Sequence, residues 1–121
     1  MKTIMVVDDS ATMRQMVKFT LAGVGHQVIE ASDGVDALTK SSLQKVDLFI
    51  TDLNMPNMDG IELIRHLRGS DNFKNVPILV LTTESGDNAK SAGKSAGASG
   101  WIVKPFNPGV LKSAVAKLCG E

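Results

Sequence analysis

In ITDLNMPNMDG, Ile50 to Gly60, a short apolar run ends on a carboxylate and passes at once into Asn, Pro, Asp and Gly, the residues of tight loops. Read with the residues before it, DLFIT (47–51), the run has the length of a strand and does not alternate between polar and apolar. Strands covered on both faces have this pattern. Working outward, TIMVV (3–7), QVIEA (27–31), VPILVLT (76–82) and GWIVK (100–104) read alike. Between them apolar residues recur at helical spacing: Met13, Met16, Val17 and Leu21; then Val35, Leu38 and Leu43; then Ile61, Leu63, Ile64 and Leu67; and last Val110, Leu111, Ala114, Val115 and Leu118. Strand and helix alternate five times, which predicts an α/β fold: one mostly parallel sheet with helices on both faces. Right-handed crossovers restrict such a sheet to a few doubly wound strand orders.

Helix ends agree with this division. Ser10 or Asp9 can cap the first helix, Asp33 precedes the second, and Asn107 followed by Pro108 opens the last. Gly23, Gly25 and Gly69 mark helix stops, and Asp59-Gly60 reads as a turn before the third helix. The fourth helix must lie in Gly86–Gly100, a segment rich in glycine and serine with no apolar residue larger than alanine. Each interior glycine costs about 1 kcal/mol relative to alanine, so a short, frayed helix is expected there.

The 121 residues, 43% of them hydrophobic, suit one domain spanning 1–121, with no linker, repeat or effector domain expected. Thirteen basic residues balance thirteen acidic ones, which speaks against wholesale binding to nucleic acid or an anionic membrane. The acid is concentrated before residue 86 and the base after it. One cysteine, Cys119, cannot form an internal disulfide, MKTIMVV is too short for a signal-peptide core, and no run approaches the ~20 apolar residues of a membrane span. A cytoplasmic location is expected.

In a doubly wound sheet the carboxyl ends of the strands share one edge, and ligands bind there. Asp8 and Asp9 follow the first strand, Asp52 the third, Thr82 and Thr83 end the fourth, and Lys104 ends the fifth. Three gathered carboxylates repel one another unless a cation intervenes. Two carboxylates, a carbonyl and waters suit Mg²⁺, whose shell phosphate oxygens often complete. Such an ion would hold a phosphoryl group while Lys104 approaches from the other side, the Thr82 hydroxyl donates and Asp52 attacks. Each residue has a plainer reading alone. Asp8 and Asp9 could only cap a helix, Asp52 could only end a strand, Lys104 could be a solvated lysine, Thr82 a strand-former, and Trp101 a half-buried strand aromatic. Their placement at sister positions is what favours a site. Met13 and Met16 are expected in the core, and His26 and His66 near the surface.

Together VVDDS, DLNMPNMDG, LTTES and GWIVKPF resemble the signature blocks of the response-regulator receiver domain, in particular its stand-alone, CheY-like chemotaxis members. The thirty residues from Asp52 to Thr82 and twenty-two from Thr82 to Lys104 match that layout. The resemblance covers essentially the whole chain. It implies a flavodoxin-like (βα)5 three-layer sandwich of strand order 2-1-3-4-5, with Asp52 as phospho-acceptor. Asp8, Asp9, Asp52 and the Asn54 carbonyl would hold Mg²⁺, and Lys104 would contact the phosphate, with a cis bond to Pro105. Thr82 and Trp101 would form the switch pair, and Asn54 and Glu84 would tune dephosphorylation. Trp101 is bulkier than the family's usual Tyr or Phe. The implied partners are a CheA-like histidine kinase, a phosphatase, and a target such as a flagellar motor switch protein contacted through the face of the fourth and fifth helices and fifth strand. The chain would act as a monomer and a switch, not an enzyme. A phosphate sink or the regulator of a non-flagellar pathway is the alternative. A haloacid-dehalogenase-type phosphatase would need an acid where Asn54 stands, and a flavin carrier would need a phosphate-cradling loop where two aspartates stand.

Overall fold

The computed structural model of the chain describes residues 1–120. Ten elements alternate along it: β1 (Thr3–Val7), α1 (Ala11–Ala22), β2 (Gln27–Ala31), α2 (Gly34–Ser41), β3 (Leu48–Thr51), α3 (Gly60–Arg68), β4 (Ile78–Thr82), α4 (Asp87–Ala96), β5 (Gly100–Val103) and α5 (Pro108–Leu118). All strand pairs are parallel and the sheet order is β2-β1-β3-β4-β5, the order expected. In register, Val7 faces Thr51, Thr51 faces Val80 and Thr82 faces Val103. The residue after each of these strands therefore emerges at the same edge.

Alternate strand residues feed two cores. Ile4, Val6, Leu48, Ile50, Leu79 and Leu81 point to the side covered by Val17 and Leu21 of α1 and by Leu111 and Val115 of α5. Met5, Val7, Phe49, Ile78 and Val80 point to the other, with Ala37 of α2 and Leu63, Ile64 and Leu67 of α3. There Phe49 meets Phe73 edge to face, with centroids 5.4 Å apart. Burial on both sides explains why β3 and β4 carry no alternation. The side chains of Ser10, Asp33, Asp59 and Asn107 cap α1, α2, α3 and α5, each accepting an amide three residues on. Asp59 is thus a helix cap where the sequence suggested only a turn.

The helices depart from expectation in two ways. Helix α2 ends at Ser41, so Leu43 falls outside it and is 80% exposed; Val35 and Met16 are also exposed, while Ala37 takes the buried position on α2. The segment after Gly86 is not a short helix: α4 runs for ten residues. Its glycine serves packing, because Gly93 is buried beneath Trp101, and a Cβ there would lie 2.6 Å from the ring atom Cζ3. Gly97, with φ +120°, ends the helix in a conformation that side chains rarely adopt. Beside it Arg68 donates through Nε to the Gly97 carbonyl (3.0 Å) and through Nη1 to those of Val76 (2.6 Å) and Phe73 (3.1 Å). Burial pushes the pKa of this guanidinium below its ordinary value. Among the described residues no helix is long and apolar enough to cross a membrane.

Candidate functional site

The carboxyl edge is built by extending the ladder one residue past each strand. The Asp8 amide donates to the Ala31 carbonyl (3.1 Å), the Asp52 amide to that of Val7 (3.0 Å) and the Lys104 amide to that of Thr82 (2.8 Å). The sheet's backbone thereby fixes where these three side chains begin. Asp8 and Asp52 are buried, and Asp9 is exposed.

Lys104 Nζ lies 2.7 Å from Asp8 Oδ2 and 2.9 Å from Asp52 Oδ2. Buried charges are tolerated when paired and hydrogen-bonded, and each oxygen pair here is served twice. The other Asp8 oxygen accepts the Ser10 amide (2.9 Å) and the other Asp52 oxygen the Leu53 amide (2.7 Å). Burial alone would lower the Lys104 pKa, but the hydrogen bonds and charges of Asp8 and Asp52 outweigh it and hold the pKa above the ordinary 10.5. Asp8, Asp9 and Asp52 each offer an oxygen such that all three lie within 4.8 Å of one another. This all-oxygen carboxylate set fits a hard divalent cation.

A loop layer lies over this floor. The Asn54 side chain, exposed beyond Asp52, donates to Glu84 Oε1 (3.2 Å). The Glu84 amide donates to the Thr82 hydroxyl (3.3 Å), and the Glu84 carbonyl accepts the Trp101 indole N–H (3.1 Å). Thr82 and Trp101, on neighbouring strands, thus meet through one residue's backbone. The indole is half-buried, its six-membered ring seated on Gly93. Pro105 follows Lys104 through a cis bond.

Three supports have no counterpart in the sequence reading. Gly60, first residue of α3, packs directly on the Asp52 backbone: an added Cβ would fall on the Asp52 carbonyl oxygen and 2.8 Å from Leu53 Cα. Its amide donates to the Leu53 carbonyl (2.8 Å). The glycine of MDG was a visible signal, but a turn explained it equally well. Asn57, at φ +68°, donates to Asp33 Oδ2 (2.8 Å), and Met58 covers Gly34, fastening the β3–α3 loop to the head of α2. Asp33 is held below the ordinary carboxylate range by the Asp36 amide first and by Asn57 next. The third support, Arg14, bonds the Asp8 carbonyl at 2.6 Å.

Comparison with known proteins gives one consistent result. Residues 4–116 match the family model of the response regulator receiver domain. A chemotaxis protein CheY homolog of Campylobacter jejuni is 43% identical over an alignment 121 positions long that covers 97% of this chain and 92% of that one. The solved structure of chemotaxis protein CheY4 from Vibrio cholerae superposes with a TM-score of 0.93 at 43% identity, covering 98% of both chains. The receiver domain of a sensor histidine kinase of Pseudomonas aeruginosa, solved with magnesium in its active-site cleft, superposes at 0.91 with 25% identity, covering 99% of this chain and 98% of that one.

Proposed function

The chain belongs to the response regulator receiver domain family, and from that premise we infer that it is a phosphorylation switch of a chemotaxis-type two-component system, with Asp52 as acceptor. The observation that carries this reading is the double engagement of Lys104 by Asp8 and Asp52, with Asp9 completing the carboxylate cluster.

Asp52 Oδ2 is the nucleophile. As its bond to phosphorus forms, the bond from phosphorus to the imidazole nitrogen of a kinase phosphohistidine breaks, and the electron pair leaves with the imidazole. Lys104, anchored by Asp8, swings from the free carboxylate to a phosphoryl oxygen without leaving the site. The Thr82 hydroxyl, which accepts the Glu84 amide, donates to a second oxygen. Asp8, Asp9, Asp52 and the Asn54 carbonyl would hold a magnesium ion. Such an ion supplies charge to offset that building on the equatorial phosphoryl oxygens. Asn54 and Glu84, hydrogen-bonded over the acceptor, stand in the approach of a hydrolytic water and set the lifetime of the acyl phosphate.

The output is a change on the face of α4, β5 and α5. Thr82 and Trp101 share Glu84, so a displaced hydroxyl reaches the ring and, through Gly93, α4. Lys90, Lys94, Lys112 and Lys117 give this region a basic character suited to an acidic partner. A flagellar motor switch protein is the first candidate in a cytoplasmic setting, with a phosphate-sink role or another pathway as the alternative. The chain is a switch and not a phosphatase, because Asn54 cannot donate and reclaim a proton. Acetyl phosphate with Mg²⁺, followed by mass spectrometry, tests the chemistry. A single phosphoryl adduct is expected on the wild type and none on Asp52→Asn; equal adducts on both would refute the assignment, and multiple turnovers of p-nitrophenyl phosphate would favour an enzyme.

A further inference from the structure

We propose that Arg14 is a positioning residue for the cation-holding acids, and that Glu30 lets it act as a hydrogen-bonding prop without a charge cost. The inference rests on the reading of Asp8, Asp9 and Asp52 as a cation site. Arg14 lies in the first turns of α1, and its Nη1 donates to the Asp8 carbonyl at 2.6 Å. The Asp8 amide is already tied to Ala31 of β2 at 3.1 Å. With Arg14 in place, the main chain of Asp8 is held on both sides, and the Asp8–Asp9 peptide plane has one orientation. That plane matters because Asp9 is exposed and no hydrogen bond to its carboxylate is found among the described residues. The Asp9 oxygen is therefore placed among the three acids through the backbone alone.

A bare guanidinium at this distance would repel a divalent cation. Glu30 removes that penalty: Arg14 Nε lies 3.1 Å from Glu30 Oε1, and both side chains are largely buried. Glu30 is itself held by β2, where its carbonyl accepts Lys40 Nζ at 2.6 Å, and its second oxygen lies 3.7 Å from Lys18 Nζ. Groups standing behind metal ligands typically change affinity by about 10- to 100-fold when removed.

The test is Mg²⁺ binding by isothermal titration calorimetry, with thermal unfolding of the metal-free proteins alongside. The double variant Arg14→Ala/Glu30→Ala keeps the net charge, so a rise in Kd of about tenfold reports lost positioning. Glu30→Gln keeps the prop but unmasks its charge; its Kd should rise a few-fold and return toward the wild-type value at high salt. Arg14→Gln/Glu30→Gln likewise keeps the net charge and serves if the first double variant does not fold. A double variant that binds Mg²⁺ as tightly as the wild type, or more tightly, would overturn the positioning role while leaving the site intact. Failure of the wild type itself to bind, or undiminished binding by Asp9→Asn, would instead overturn the site on which the proposal stands.

Discussion

Replacing Gly93 by alanine sets two well-defined effects against each other. In an ordinary helix interior the change stabilises by about 1 kcal/mol, since alanine has the higher helix propensity. Here the new Cβ would stand 2.6 Å from Trp101 Cζ3 and 3.3 Å from Cε3. Those atoms belong to a rigid ring tied at its far end to the Glu84 carbonyl, so the ring must move as a whole. Overpacking costs about 1–3 kcal/mol, and a broken indole hydrogen bond adds about 1 kcal/mol. The balance is a net loss of about 1–3 kcal/mol, read from urea unfolding followed by far-ultraviolet circular dichroism. Trp101 is the chain's one tryptophan, so its emission reports its own displacement by shifting to the red. In a Trp101→Phe background the ring is smaller and the same Gly93→Ala change should regain part of the helix-propensity gain. If Gly93→Ala alone stabilised the protein by the full 1 kcal/mol with unchanged emission, the notch for the indole would be of no consequence.

Gly60→Ala should cost about 3 kcal/mol and, on the proposed function, suppress phosphoryl uptake, because the methyl collides with the Asp52 backbone instead of a yielding side chain; an unfolding curve and adduct yield equal to the wild type would refute this. Lys104 has its pKa raised on folding, so its contribution is fully present below the ordinary lysine value of 10.5 and is lost as pH climbs through the folded value. Unfolding titrations above pH 10 should show that loss in the wild type and a flatter profile in Lys104→Met. Asp47 works in the opposite sense: the Thr3 amide, 2.8 Å from Oδ2, holds its carboxyl below the ordinary 3.8. Its stabilisation is present above that value and fades as pH falls through the folded one, so Asp47→Asn should lose about 1 kcal/mol at pH 7 and show a shallower acid limb in the same titration.

The strands were readable because each is a short, non-alternating run, and burial on two faces is what such a run requires. The same runs point to the edge, since Asp8, Asp52 and Lys104 stand next to strand ends and the parallel sheet brings those ends together. Helix burial was less legible. Leu43 looked like a third apolar position on α2, but the helix stops at Ser41 and the side chain projects into solvent. Phe19, 82% exposed on α1, has no signal in the sequence that separates it from a core aromatic. Glycines misled most. Gly93 lowers helix propensity by a local measure, yet its reason lies eight residues later, in a ring arriving from β5. Arg14 reads as any helical arginine, because its bond runs backward to a carbonyl, which the one-letter sequence does not display.

The Arg68 cluster gives α4 unequal ends. Its tail is tied through the Gly97 carbonyl to Arg68 of α3, which also holds the Val76 and Phe73 carbonyls of the α3–β4 connection, while its head begins at Gly86 with no side-chain cap. With the tail held at Gly97 and the middle seated under Trp101, a displacement near Glu84 becomes a swing of the forward half, where Lys90 stands. On the proposed function, leverage also runs backward: a protein gripping the head of α4 would press on the Asp52 pocket, and its occupancy would alter how long a phosphoryl group survives there.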